Sequence, residues 1–179
     1  MAEYIMTYTK KLFYPTAPRK EDVCIEDIAH ALSLICRANG HFPRFYSVGQ
    51  HSISCALEAI ARDMSPKLVL ACLIHDASEA YLSDITRPVK KDLHAYRQYE
   101  KNLQAVVYEK YIGTVTEDEQ KIVKLIDDTM LYHEFYHFMG EKISDELPKL
   151  SFPSYDFLQF EEVEKEFLQI FEEYMQKNK

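Results

Sequence analysis

The sequence predicts an all-α domain, and three observations carry that prediction. Only 4 Gly and 7 Pro occur in 179 residues, which leaves little material for the tight turns of a many-stranded protein. Apolar residues make up 47% of the chain and recur at helical spacing through most of it. Ser/Thr-x-x-Gln/Glu boxes and a Ser-Pro pair stand where those periodic runs begin. The length fits one domain. We divide it into an N-terminal arm over roughly 1–24, a core over roughly 25–140 and a C-terminal helix over roughly 156–177.

The arm has aromatic and β-branched residues followed by Pro15 and Pro18, and reads as a short β-hairpin or an extended segment. From Ile25, the residues Ile28, Leu32 and Ile35 mark a helix that Gly40 ends. Ser47-Val48-Gly49-Gln50 is a capping box that opens a helix to about Asp63. Ser65-Pro66 opens the next, and the run LVLACLI behind it is apolar on every side, as a central buried helix must be. The pattern runs on through HDASEAYLSD, so His75, Asp76 and Glu79 emerge from the core, where a charge needs a partner or a metal.

After Thr86-Arg87-Pro88 a long amphipathic helix is expected from about Val89 to Tyr111, closed by Gly113. Thr116–Glu119 is a second capping box, opening a helix to about Met139 with Gly140 as its stop. ISDELPKLSFPSYD reads as a loop. The last helix places Phe160, Val163, Phe167, Ile170, Phe171 and Tyr174 on one face.

The net charge of −8 argues against double-stranded nucleic acid as a partner, because phosphate contacts need clustered Lys and Arg. A small anionic ligand remains compatible with it. No stretch approaches a membrane span and no signal-peptide pattern opens the chain, so a cytoplasmic location is the default and no membrane partner is expected. Cys24, Cys36, Cys55 and Cys72 form no C-x-x-C pair; three of them sit in apolar helical runs, and they read as reduced thiols.

Two constellations could carry chemistry. His133-Glu134-Phe135-Tyr136-His137 is H-E-x-x-H, the zinc-peptidase pattern. The branch of those enzymes with a glycine at Gly140 needs a His where Ile143 stands. The acidic residues Glu161, Glu162, Glu164 and Glu166, which could supply a third ligand, lie on an ordinary amphipathic helix. At about 100° per residue, Glu134 falls roughly 20° from Asp127 around the helix, while His133 and His137 lie about 120° and 80° away. The second constellation is His51, the pair His75-Asp76, and Asp127 in the apolar run IVKLIDDTML. Two imidazoles and two carboxylates suit a borderline ion such as Mn, Co, Zn or Fe better than a thiolate-rich structural zinc. Buried polar residues that satisfy one another are the plainer alternative.

HS at 51–52, HDASEAYLSDITRPVK at 75–90 and VKLIDDTMLYHE at 123–134 resemble the HD-domain phosphohydrolase superfamily, nearest to its bacterial 5′-deoxynucleotidase-like branch. The resemblance covers roughly Ile35 to Glu134. It implies a compact helical bundle with a buried divalent metal (Mn, Co, Zn, Fe or Mg) and hydrolysis of a small phosphorylated substrate, best matched by a nucleoside 5′-monophosphate. It also implies the metal ligands His51, His75, Asp76 and Asp127, with Asp128 the choice one residue out of register. Glu79 would handle the attacking water and Asp84 would contact the sugar. Lys90, and Arg37 on the first helix, would hold the phosphate.

The related enzymes carry a Trp beside that Arg; here Ala38 stands and the chain has no Trp. The sugar side of the pocket is therefore expected to differ. Related enzymes often form dimers, so a homodimer is compatible with the resemblance. Hydrolysis of an alarmone or a cyclic nucleotide, a zinc metallopeptidase using 133–137, and a non-catalytic metal-binding domain are the other readings.

Overall fold

The computed structural model describes residues 3–151 and 155–179. The arm forms a hairpin in which β1 (Ile5–Met6) pairs antiparallel with β2 (Leu12–Phe13), Ile5 opposite Phe13. Phe13 is fully buried and stacks on Tyr81 at 3.9 Å between ring centres. Asp27 accepts from Thr9 N at 2.6 Å and from Thr9 Oγ1 at 2.9 Å, which ties the hairpin to the first helix.

That helix, α1 (Ile25–Leu34), ends well before Gly40. Ile35 turns extended, and Cys36 forms an antiparallel bridge to Ser47. Arg37 N donates to Tyr46 O at 2.8 Å and Val48 N to Ile35 O at 2.9 Å. These cross-chain bonds satisfy backbone groups that further helical turns would have used. Arg37, expected on the first helix, therefore sits at the start of a 3-10 turn (Arg37–Gly40) whose Ala38, Asn39 and Gly40 are all left-handed, with φ of 53°, 51° and 74°.

The helix α2 (Val48–Ala61) follows, with Ser47 Oγ accepting from Gln50 N at 3.1 Å. Only this half of the expected box forms, because the Gln50 side chain reaches Asp156 O instead. The helix α3 (Pro66–Leu73), capped by Ser65, is buried from Val69 through Ile74 and packs against α2 and the two long helices that close the domain.

The sequence pattern continues this helix through HDASEAYLSD; the chain instead leaves it at Leu73. Residues 74–78 form turns with i to i+3 bonds before the short α4 (Glu79–Leu82). Carbonyls freed at the end of α3 find other donors. Cys72 O accepts from His75 Nδ1 at 2.7 Å, and Ile74 O from Gln104 Nε2 at 2.8 Å.

The expected helix from Val89 to Tyr111 is likewise two pieces, α5 (Arg87–Lys90) and α6 (His94–Tyr111). Lys90 Nζ donates to Glu100 at 2.6 Å across the break. The helix α7 (Glu117–Met139) has both halves of its capping box and a left-handed Gly140 cap. No helix or strand forms over 140–151. The helix α8 (Phe160–Lys177) buries Val163, Phe167, Ile170 and Phe171 against α1, α2 and α3, with Phe160 and Tyr174 half-buried at its ends. No helix among the described residues is long and apolar enough to cross a membrane.

Gly49 lets α2 approach α1 and α8. A Cβ there would lie 3.0 Å from Val163 Cγ1 and 3.1 Å from the backbone of Leu32 and Ser33. Because two of those neighbours are backbone, Gly49→Ala is expected to destabilise the fold by about 1–3 kcal/mol. Chemical denaturation checks this, and an unchanged midpoint would contradict the close approach.

Candidate metal centre

His51 sits one turn into α2 and is fully buried. Its Nδ1 is 2.6 Å from Oε1 of Glu134, also fully buried, on α7. Nδ1–H donates to that carboxylate. His75 stands in the turn after α3, and its Nδ1 must carry a proton because the Cys72 carbonyl can only accept. In the neutral rings both Nε2 atoms are then lone pairs, and they face one another at 3.3 Å.

Two carboxylates join them. Asp76 Oδ2 is 3.2 Å from His75 Nε2 and 3.9 Å from His51 Nε2. Asp127 Oδ1 is 3.3 Å from His51 Nε2 and 3.9 Å from His75 Nε2. Four acceptor atoms thus converge, and such a cluster requires a compensating cation. Cys55, one turn on from His51 along α2 and also buried, places Sγ 3.6 Å from His51 Nε2. His51, Cys55 and His75 bring one ligand atom each to within 4.8 Å of one another and could hold a metal ion.

Arg37 lies among the same atoms. Its guanidinium is 3.1 Å from His51 Nε2, 3.3 Å from Glu134, 3.5 Å from Asp76 and 3.7 Å from Asp127. The electrostatics follow from this crowding. Burial would raise the Asp76 carboxyl, but His75 and Arg37 hold it well below the usual carboxylate range. Burial opposes ionisation of Asp127 too, and His51, His75 and Arg37 overcome it. Burial and Arg37 disfavour a charged His51, yet Cys55, Glu134 and Asp127 together carry its pKa well above the ordinary value. The cluster draws positive charge from whatever source is present.

Asp76 and Asp127 open from this centre into a cleft of about 490 Å³ that Arg37, Glu79, Asp84 and Lys90 also line. Ile85, Leu131, Phe135 and Ile143 give it an apolar wall. Burial, reinforced by Asp76 and Asp84, pushes the Glu79 carboxyl up to about 9 against the pull of Lys90 and Arg37. Lys90 Nζ is 3.4 Å from Glu79 Oε1, while Glu79 Oε2 is buried without a hydrogen-bond partner. Burial raises Asp84 as well.

Of the residues expected in an HD-type site, Arg37, Asp76, Glu79, Asp84, Lys90 and Asp127 line this cleft, and His51 and His75 meet Asp76 and Asp127 behind it. Asp128 does not face the imidazoles: it accepts from Arg87 at 2.9 Å and from Lys124 at 2.7 Å. The sequence reading did not single out Arg87, whose second nitrogen reaches Asp127 Oδ2 at 2.9 Å, or Lys124 on the rim. It also missed Gln104, which brackets the 74–78 turn by donating to Ile74 O and accepting from Ser78 N at 3.1 Å. It took Cys55 for a core thiol, although the i to i+4 spacing from His51 was there to be read.

The H-E-x-x-H letters divide between tasks. Glu134 holds His51, whereas His133 Nε2 donates to Pro148 O at 2.7 Å. His137 stacks on Tyr155 and faces Arg44 at 3.2 Å. Among the described residues, neither histidine joins two further ligand-type side chains.

No family model matches the chain. It is 41% identical over 108 residues to the uncharacterized protein YfdR of Escherichia coli, covering 60% of this chain and 58% of that protein. It is 37% identical over 97 residues to the uncharacterized protein RCAP_rcc00048 of Rhodobacter capsulatus, covering 51% of this chain and 49% of that one. The chain thus spans only half to three-fifths of the curated relatives it matches, and neither relative's name states an activity.

The raised Glu79 pKa has a stability consequence. Relative to an unfolded value near 4.5, the contribution is full below that pH and is lost as pH rises through about 9. Glu79→Gln keeps the neutral form throughout. In metal-free protein it is expected to raise Tm by at least about 2 °C at pH 8, with the gain vanishing toward pH 4.5. Thermal melts across that range check this; a gain that grows toward acid would contradict it.

Proposed function

We propose that this protein is a metal-dependent phosphohydrolase of the HD type, acting on a phosphomonoester of a small molecule, most plainly a nucleoside 5′-monophosphate. One observation carries the reading: ligand atoms of His51, His75, Asp76 and Asp127 converge behind a cleft rimmed with basic residues. That donor set fits a divalent ion, and the resemblance of the H…HD…D pattern supports the same assignment.

An ion held by these four residues would supply hydroxide near neutral pH. The remaining work falls to side chains already in place. Glu134 fixes the His51 tautomer from behind. Glu79, kept neutral near pH 7, carries a proton for the leaving alkoxide. Arg37 and Lys90 offer positive charge to the phosphoryl oxygens, and Arg87 and Lys124 extend that charge along the rim. Asp84 lines the same cleft, where it would contact the sugar.

A second reading has an observation of its own. The Arg37 guanidinium already lies within 3.1–3.7 Å of His51, Asp76, Asp127 and Glu134, so a metal-free binding domain could satisfy its buried acids internally.

The two separate in one experiment. Metal-stripped protein is supplied with Mn, Co, Mg or Zn and assayed against a panel of nucleotides and other phosphate esters. We expect metal-restored hydrolysis, its loss together with metal binding in Asp76→Ala, and near wild-type rates in His133→Ala and His137→Ala. Loss of hydrolysis in the histidine variants alone would point to the peptidase motif. Absence of metal uptake would favour the binding domain.

A further inference from the structure

We propose that Cys55 is a thiolate ligand of this centre, standing with His51, His75 and one of the two carboxylates in a tetrahedral set and biasing it toward thiophilic divalent ions, Zn(II) and Co(II), over Mg(II) and Mn(II). The inference rests on the metal-centre reading above and on none of its hydrolytic chemistry. Three features of this chain lead to it.

Cys55 and His51 are four residues apart on α2, so their side chains share a face, and both are fully buried. Their distances match a small tetrahedral ion. With metal–nitrogen bonds of about 2.05 Å and metal–sulfur bonds of about 2.3 Å, tetrahedral angles separate two nitrogens by about 3.3 Å and nitrogen from sulfur by about 3.6 Å. His51 Nε2 lies 3.3 Å from His75 Nε2 and 3.6 Å from Cys55 Sγ. An octahedral ion with bonds of about 2.1 Å would bring neighbouring donors to about 3.0 Å, closer than either pair.

The third feature concerns the carboxylates. Asp127 gives its second oxygen to Arg87 at 2.9 Å and Asp76 faces Arg37 at 3.5 Å, so each has a cationic neighbour besides any ion. Among the described residues the Cys55 thiol is hydrogen-bonded to His51 and to no Lys or Arg. Binding would be a proton exchange without redox change: the Cys55 S–H proton leaves to solvent as the sulfur–metal bond forms.

The test uses the full chain stripped of metal and titrated with Co(II). Wild type is expected to bind one Co(II) per chain with a near-ultraviolet thiolate-to-cobalt charge-transfer band. Cys55→Ala should lose that band and bind Zn(II) at least about tenfold more weakly, with smaller effects on Mn(II). Cys72→Ala, which removes the other buried thiol, should keep the band. X-ray absorption on the Zn(II)-loaded wild type needs no substitution and should give one sulfur neighbour at about 2.3 Å.

A 1:1 complex with only nitrogen and oxygen neighbours would overturn the inference and leave the metal centre standing. A chain that takes up no ion, or whose uptake is unchanged in His51→Ala, would overturn the metal centre and the inference with it.

Discussion

The His51 imidazole meets a carboxylate of one helix at each of its nitrogens. Glu134 takes the Nδ1 proton at 2.6 Å and Asp127 lies 3.3 Å from Nε2, and seven residues of α7 separate the two carboxylates. Two helical turns set that spacing, so the clamp needs α7 to run unbroken through 127–134. It also needs α2 to come close, which Gly49 allows by meeting α1 and α8 without a side chain. Burying an imidazole and two carboxylates costs several kcal/mol unless the geometry satisfies them. The packing of α2, α7 and α8 around α3 supplies that geometry, and the candidate site is a consequence of it.

The remaining half of the site comes from a place where helix formation stops. Had α3 continued, His75 would have lacked the free Cys72 carbonyl that fixes its proton on Nδ1. The turn at 74–78, held on both sides by Gln104, aims His75 and Asp76 at His51 and starts α4 at Glu79. Glu79 is thereby left in a buried position beside Asp76 and Asp84, which keeps it neutral near pH 7. A carboxyl so placed costs the fold stability and gives the cleft a proton donor.

Much of this was legible in the residues. Capping boxes at Ser47 and Thr116 and the Ser65-Pro66 pair marked three helix starts to the residue, because capping is local chemistry. Helical arithmetic placed Glu134 beside Asp127 and turned His133 and His137 away, as the contacts of all four residues have it. What the sequence could not supply were features decided by partners distant along the chain. The bridge from Cys36 to Ser47 ends α1 early and moves Arg37 off the helix. Gln104 stabilises the turn that breaks the HDASE helix. Arg87, at the start of α5, reaches Asp127 and Asp128 on α7, some 40 residues along the chain. Each of these depends on tertiary contacts that outweigh local propensity.

The central claim is that a divalent cation, and not Arg37 or a proton, is the charge for which this cluster is built. Anomalous diffraction from metal-loaded crystals, recorded at the absorption edge of the added ion, tests it most directly. The account predicts one strong peak between the Nε2 atoms of His51 and His75 and the carboxylates of Asp76 and Asp127, with the Arg37 guanidinium drawn back from that point. A peak at His133 and His137, or fully loaded crystals with Arg37 still seated among the four residues, would contradict it.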